Sequence, residues 1–292
     1  MITGDRSFKP GHPRYELQRA QVDELEPAYW GRGSLWPRIP GGPFDVVTAQ
    51  DPFWRGLMAL RFARRLRARL QIQVHADLDA VPGWKRSLAK YVISRADSVR
   101  VVSEKIKAQV GKSNAGVPIR VLPVYIDIER FRGISREAHE GVVLLWIGRF
   151  EAEKDPLQAL DVLRQARAAG IDARLIMLGK GSFETELKAH AAGLPVEFPG
   201  WQDPARYLGT ADLVISTSPY ESYGASIVEA LAAGVPVVSY DVGVAREAGA
   251  TIAPKGQLAE TAIQALGGGA RGELKLRVLS ESEWAQAWKG TL

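Results

Sequence analysis

Two glutamates, Glu221 and Glu229, stand with seven residues between them in the run Glu221-Ser222-Tyr-Gly224-Ala225-Ser-Ile-Val-Glu229-Ala-Leu-Ala-Ala-Gly234-Val-Pro236. Carboxylates are poor ligands for phosphate but good acceptors for sugar and ribose hydroxyls. Ser222 or Gly224 opens a short helix here, and Gly234 with Pro236 closes it. The unbonded N–H groups of its first turn, near Gly224 and Ala225, then form a phosphate site at the ends of the flanking strands. Ile227 and Leu231 lie four apart and turn to the sheet, which leaves Glu229 on another side of the helix. The structural alternative is a first-turn glutamate that serves the helix dipole plus a solvated one.

Several further segments lie in order along the chain. Gly148-Arg149-Phe-Glu-Ala-Glu-Lys154-Asp follows an apolar run, Leu178-Gly179-Lys180-Gly181 ends another, and Val196-Glu-Phe-Pro-Gly200 precedes Ala211-Asp212. Together with Ser-Pro-Tyr-Glu221-Ser-Tyr-Gly and Ala-Gly-Val-Pro-Val-Val, this pattern resembles glycosyltransferase family 4 over roughly residues 70 to 290, most specifically from 141 to 248. The resemblance implies a GT-B architecture and retaining transfer from a nucleotide sugar. It places Arg149 and Lys154, beside Gly148, on the donor diphosphate, Glu229 on the ribose and Glu221 on a donor-sugar hydroxyl. It also sets the Gly179, Lys180 and Gly181 loop beside the base. The chemistry is consistent, since expelling a nucleoside diphosphate without a metal requires fixed cations.

In the first half, Gln71-Ile-Gln-Val-His75-Ala-Asp77 sets a histidine just past a strand end. By resemblance His75 bonds the sugar or the leaving group; Asp51 is a candidate acceptor contact, whereas Ser103 and Lys105 are a cap and a helix residue. Asp77-Leu-Asp79 is read as a polar loop and not a metal motif. Gly179-Lys-Gly181 lacks the third glycine of a dinucleotide fingerprint. No cofactor and no metal are expected. No residue stands out as a nucleophile, so same-face attack assisted by the departing phosphate is implied. The alternatives are a sugar-nucleotide epimerase of the same architecture and a non-catalytic sugar-nucleotide or glycan-binding module. Two departures from the family bear on this: Met1-Ile-Thr-Gly is short for a first strand, and Val244 stands where a second glycine is common after Gly243.

The elements that must hold these residues follow an α/β rhythm. Strands are expected at 44–49, 70–75, 98–102 and 119–124, then at 142–147, 174–178, 196–198, 213–217 and 235–240. Helices are expected at 53–69, 84–95 and 103–110, the last capped by Ser103. Val142 to Ile147 is continuously apolar, as in a strand covered on both sides. Two doubly wound, Rossmann-like domains across a cleft follow, with a shortened acceptor domain at 1–135 and a donor domain at 136–292 that includes a terminal helix bearing Trp284 and Trp288. Residues 4–43 are either an acceptor-site loop or a degenerate first βα unit.

The chain has 292 residues and no cysteine, which removes disulfides, thiolate metal sites and a cysteine nucleophile. It lacks an apolar run long enough to span a membrane and has no signal-peptide core, so a cytoplasmic protein is expected. Arg61, Arg64, Arg65, Arg67 and Arg69 cluster, which suggests a polyanionic neighbour. Anionic lipid, a phosphorylated acceptor and nucleic acid all fit the cluster alone. The expected partners are the nucleotide sugar, a glycan or lipid-linked acceptor and an anionic membrane touched peripherally, not nucleic acid.

Overall fold

The computed structural model describes residues 1–30, 41–112, 116–269 and 271–292. Part of the aperiodic stretch expected at 4–43 therefore lies outside the described residues. What is described of it forms a degenerate βα unit: β1 (Ile2–Thr3), α1 (Pro13–Arg19) and β2 (Ala28–Tyr29). Two-residue strands are too short to show a period of two, which explains why alternation gave no signal there.

The series continues with β3 (Val46–Ala49), α2 (Trp54–Leu66), β4 (Arg69–Val74), α3 (Gly83–Ile93), β5 (Ser98–Val101), α4 (Glu104–Gly111) and β6 (Ile119–Val121). All pairings are parallel, in the order β2-β1-β3-β4-β5-β6. Ser103 caps α4 as expected, its hydroxyl accepting from the Ile106 N–H.

The second series comprises β7 (Val142–Ile147), α5 (Pro156–Ala168), β8 (Ala173–Leu178), α6 (Glu184–His190), β9 (Val196–Gly200), α7 (Ala205–Leu208) and β10 (Leu213–Ser216). It ends with α8 (Ala225–Ala232), β11 (Val237–Ser239), α9 (Ala245–Ala248), β12 (Thr251–Ile252) and α10 (Leu258–Gly267). Its sheet is also parallel, ordered β12-β11-β10-β7-β8-β9. The fully apolar β7 runs through the middle with its four inner residues buried, against a core that includes Trp146, Phe150, Leu160, Leu163 and Met177. Burying such side chains contributes roughly 1.5–3 kcal/mol each, which fixes this strand as the centre of the unit.

The chain divides into two units, Met1–Tyr125 with Leu279–Leu292, and Ile126–Val278. This corrects the expected division in one respect: the terminal helix, α11 (Glu281–Lys289), belongs to the first unit. Its two tryptophans pack against Leu122, and the Trp284 indole N–H donates to the Pro123 carbonyl at 2.9 Å. A capping box between Ser280 and Glu283 starts the helix. The tail beyond it reaches the first sheet, where the Thr291 carbonyl accepts from Gln71 Nε2. An apolar stripe four residues apart finds its partner by contact, not by closeness in sequence.

Candidate active site

In the second sheet β7 lies beside β10, the point where the connections turn in opposite directions and where ligands of doubly wound sheets bind beyond the carboxyl ends. Lys154 comes from the β7 side and Glu221 from the β10 side, and Lys154 Nζ pairs with Glu221 Oε1 across that point. Their side chains are only 21% and 14% exposed. A pair this buried holds its partners together more firmly than a surface pair, and losing one member leaves the other uncompensated.

Local structure explains how Lys154 gets there. It ends a 3-10 turn, Ala152–Lys154, and Asp155 follows in the left-handed region at φ 44°, after which Pro156 opens α5. Thr217, buried at the end of β10, ties the turn down: its hydroxyl accepts from Trp146 Nε1 at 2.8 Å and donates to the Lys154 carbonyl at 2.7 Å. Arg149 behaves differently. It is exposed and pairs within its own loop with Glu153 at 2.6 Å.

The start of α8 is built as the sequence suggested, with Gly224 as N-cap at φ 93°, a conformation that favours glycine. Being glycine, the N-cap itself brings no side-chain oxygen to the first turn. The Gly224 carbonyl accepts from Ile227 and Val228, so the first-turn amides of Ala225 and Ser226 lie outside the helical ladder. Ser222 lies half-buried just before this turn. Across from it Gly243 sits at φ 52°, and a Cβ there would come within 2.2 Å of the Tyr223 carbonyl. Val244 needs no second glycine, since its φ is −106° and its N–H donates to the same carbonyl at 2.9 Å.

Glu229 is half-buried on α8, and burial pushes its carboxyl up to about 7, with Asp203 adding to the rise and Arg130 opposing it. Arg130 and Asp203 are themselves paired at 2.6 Å. The Gly179–Gly181 loop presses backbone to backbone on the β7 loop, Phe150 N–H donating to the Lys180 carbonyl at 2.9 Å. A Cβ on Gly179 would lie 1.8 Å from the Gly148 carbonyl oxygen and one on Gly181 2.3 Å from that of Phe150. These glycines are therefore required by packing, whatever else the loop does, and Lys180 between them is exposed.

His75 belongs to the first unit. It lines a pocket of about 420 Å³ with Gly4, Asp5, Gln50, Asp51, Arg55 and Ala76. Those residues follow β1, β3 and β4, and β1 beside β3 is the switch point of that sheet. Burial, then the charges of Arg100 and Arg14, hold His75 down to about 3. Asp51 is engaged with the Phe53 N–H at 2.9 Å and with Arg55 at 2.6 Å. Asp77 takes Gln109 Nε2 at 2.8 Å and Lys105 at 3.7 Å, which makes it a loop anchor. Sequence reasoning passed over Arg130, Thr217 and Arg100, whose partners are distant in the chain and leave no local spacing to read.

Two parallel, doubly wound, Rossmann-like units in one chain, matched together by solved structures, make the GT-B class of fold. A crystal structure of Anabaena HepE in complex with UDP and glucose aligns at TM-score 0.67 and 18% identity, covering 85% of this chain and 73% of that one. Sucrose-phosphate synthase from Thermosynechococcus elongatus aligns at 0.64 and 17%, covering 85% and 69%. The model of the glycosyl transferase 4-like domain matches residues 9–125, and that of glycosyl transferases group 1 matches 141–267. The chain belongs to the glycosyltransferase 4-like family of GT-B proteins. It is 28% identical over 256 residues to GDP-mannose-dependent alpha-(1-6)-phosphatidylinositol dimannoside mannosyltransferase of Mycobacterium tuberculosis, covering 80% of this chain and 61% of the relative. It is 25% identical over 227 residues to alpha-monoglucosyldiacylglycerol synthase of Streptococcus pneumoniae, covering 67% and 52%. The chain thus spans just over half to three fifths of the length of these relatives.

Proposed function

We propose that the protein is a retaining glycosyltransferase that moves a hexosyl group from a nucleotide-diphosphate sugar to a glycan or lipid-linked acceptor. The observation that carries this is the pairing of Lys154 with Glu221 at the switch point of the second sheet, next to a helix start whose N-cap is a glycine. Lys154 and Arg149, with the Ala225 and Ser226 amides, hold the diphosphate; Glu229 takes the ribose, Glu221 a sugar hydroxyl, and the Gly179–Gly181 loop flanks the base. Charge on the leaving diphosphate grows only as the glycosidic bond breaks, so fixed cations stabilise the transition state more than the bound donor. In the same-face route, the acceptor oxygen bonds to the anomeric carbon as the carbon–oxygen bond to phosphate breaks. The acceptor proton passes to the departing phosphate oxygen.

One of these relatives is named for a phosphatidylinositol dimannoside and the other for the synthesis of a glucosyldiacylglycerol, both lipids. Among the described residues no helix is long and apolar enough to cross a membrane, so lipid would be met at a surface. On α2 and α3 the exposed side includes Trp54, Trp84 and Tyr91, and neither helix contains a carboxylate. That combination suits an anionic membrane and extends the expectation from the arginine cluster.

The test is incubation with UDP-, GDP- and ADP-sugars, following nucleotide release and the configuration of the new anomeric centre by NMR. Turnover with retention, unaffected by excess chelator, is expected. Binding without turnover across the panel would favour a non-catalytic module, inversion would overturn the same-face route, and restoration by magnesium or manganese would overturn the cation clamp.

A further inference from the structure

The first sheet contains a row of buried polar side chains that an apolar core would not need. Strand register places Thr48 opposite Gln71, Gln71 opposite Ser98, and Gln73 opposite Arg100. Thr48, Gln71, Gln73 and Arg100 are all at most 4% exposed, and among the described residues Arg100 pairs with no carboxylate. Burying such groups is costly unless every donor meets an acceptor, so the direction of each bond in the row is constrained.

Both ends of the row have only one possible polarity. At one end, the Thr291 main-chain carbonyl can only accept, so Gln71 must present Nε2 to it. Gln71 Oε1 then turns to Thr48, whose hydroxyl donates to it at 2.8 Å. The Thr48 oxygen in turn accepts from Gln73 Nε2 at 3.0 Å. Gln73 Oε1 is thereby directed to His75 Nε2, at 3.2 Å. At the other end, the Arg100 guanidinium can only donate, and it reaches the same Gln73 Oε1 at 3.4 Å. The two ends agree. His75 Nε2 must bring the hydrogen, and Nδ1, which no described residue engages, keeps a bare lone pair.

We propose that Arg100 is a positioning residue that, through Gln73, locks His75 in the Nε2–H tautomer. The pocket at the β1/β3 switch point then offers Nδ1 purely as an acceptor and selects a ligand that presents a hydroxyl, as a sugar or polyol does, over one that presents a carbonyl or phosphate oxygen. The substrate side of this rests on the glycosyltransferase assignment; the tautomer does not. The surrounding charges fit. Arg14 from α1 is paired with Asp5 at 2.7 Å, and Arg55 from α2 with Asp51 at 2.6 Å, which leaves Arg100 on β5 as the uncompensated cation beside the ring. Burial lowers Arg100 only to about 9, so it stays charged at neutral pH. His75, held near 3, stays neutral there and is too weak a base to deprotonate an acceptor hydroxyl. Its part is to orient.

The tautomer can be read directly by 15N NMR of the histidine rings in the full chain, which has four histidines. The expected wild-type spectrum shows His75 with protonated Nε2 and unprotonated Nδ1, unchanged between about pH 5 and 8, where ordinary histidines titrate. Arg100→Met removes one of the two ends that orient Gln73, so it should raise the His75 pKa and admit a minor Nδ1–H population beside the Nε2–H form, with Arg100→Lys restoring the lock. If Arg100→Met proves unstable, Gln73→Glu serves instead: its carboxylate can only accept, so Nε2–H should persist while the His75 pKa rises. In kinetics, Arg100→Met should raise KM several-fold with little change in kcat. A wild-type His75 that is protonated on Nδ1, or that titrates near its usual value, overturns the lock whatever the activity. An Arg100→Met spectrum identical to wild type removes Arg100 from the role. A locked ring whose His75→Phe variant keeps unaltered transfer kinetics overturns the substrate assignment of this pocket and leaves the tautomer standing.

Discussion

At the scale of single residues, the contact between Lys154 and Glu221 changes how the site should respond to mutation. Four donor contacts from separate loops would be expected to act independently. Because these two touch and are largely buried, removing either leaves an uncompensated charge, and removing both does not. Lys154→Ala and Glu221→Ala should each cost about a hundredfold in kcat/KM, while the double variant loses less than the product, with a coupling of about 1–3 kcal/mol. Arg149, paired with Glu153 on the exposed rim, should combine additively with either. Steady-state kinetics on the cycle decides it, and additive losses for the Lys154 and Glu221 pair would show that the ion pair does not matter in the working enzyme. Glu229 yields a pH prediction. Its folded pKa, about 7, lies above the unfolded carboxylate value, so its contribution to stability is complete below about pH 4.3 and is lost as pH rises through 7. Glu229→Gln should therefore melt near the wild-type temperature at pH 4.5 and above it at pH 8. Donor affinity of the wild type should fall as pH drops through 7, since the ionised carboxylate is the better acceptor for two ribose hydroxyls. Thermal melts and donor titrations across that range check both, and equal melting temperatures at pH 8 would refute the burial argument.

At the scale of elements, loop contacts decide more than helix or strand propensity does. Gly181 needs no positive φ, yet its Cβ would collide with the Phe150 carbonyl at 2.3 Å, a backbone atom that cannot swing away. Gly83, the first residue of α3, has open space around it. Gly181→Ala should cost upwards of about 2 kcal/mol and weaken donor binding, because the β7 loop that bears Arg149 and Lys154 must shift; Gly83→Ala should be neutral or slightly stabilising. Chemical denaturation of the two variants tests this, and equal stability would mean the loops separate easily. The same contrast explains what could be read in advance. The continuous run of β7, the Ser103 cap and the Gly224 helix start are local signals, and each appears where local chemistry requires. The Thr217 bridge from Trp146 to Lys154, the Arg130–Asp203 pair beside Glu229 and the polar row ending at Thr291 join residues 60 or more positions apart. Spacing in one chain does not encode such contacts. The placement of α11 was missed for the same reason: two tryptophans announce that a face will be buried but not against which strand.

At the scale of the whole molecule, charge is distributed with more order than the near balance of 38 basic and 33 acidic residues suggests. The stretches 54–66 and 83–95 contain Arg55, Arg61, Arg64, Arg65, Lys85, Arg86, Lys90 and Arg95 and no carboxylate. Along α2, Trp54, Arg61 and Arg65 fall at helical spacing on one exposed stripe, and on α3 Trp84 and Tyr91 do the same. The stripes adjoin, since the Trp54 and Trp84 rings are 6.4 Å apart; Lys85 lies over the Trp84 ring and Arg95 over that of Tyr91. Exposed indoles with snorkelling cations are the composition of a membrane interface, where the rings sit at headgroup depth and each cation near anionic lipid contributes about 1 kcal/mol. The two contributions can be separated by vesicle flotation. Wild type should float with anionic vesicles at low salt and much less with neutral ones, and the gain should fade above about 0.5 M salt as screening shortens to a few ångströms. Replacing Arg61, Arg64 and Arg65 with Gln should abolish the anionic preference. Replacing Trp54 and Trp84 with Ala should weaken flotation on both kinds of vesicle, because the indoles contribute insertion and not charge. Nucleotide release with a water-soluble acceptor should survive both sets of changes, whereas transfer to a lipid-embedded acceptor should fall with them. Equal recovery on neutral and anionic vesicles, or no flotation at all, would leave the two helices as an ordinary solvated surface and point to a soluble glycan as the acceptor.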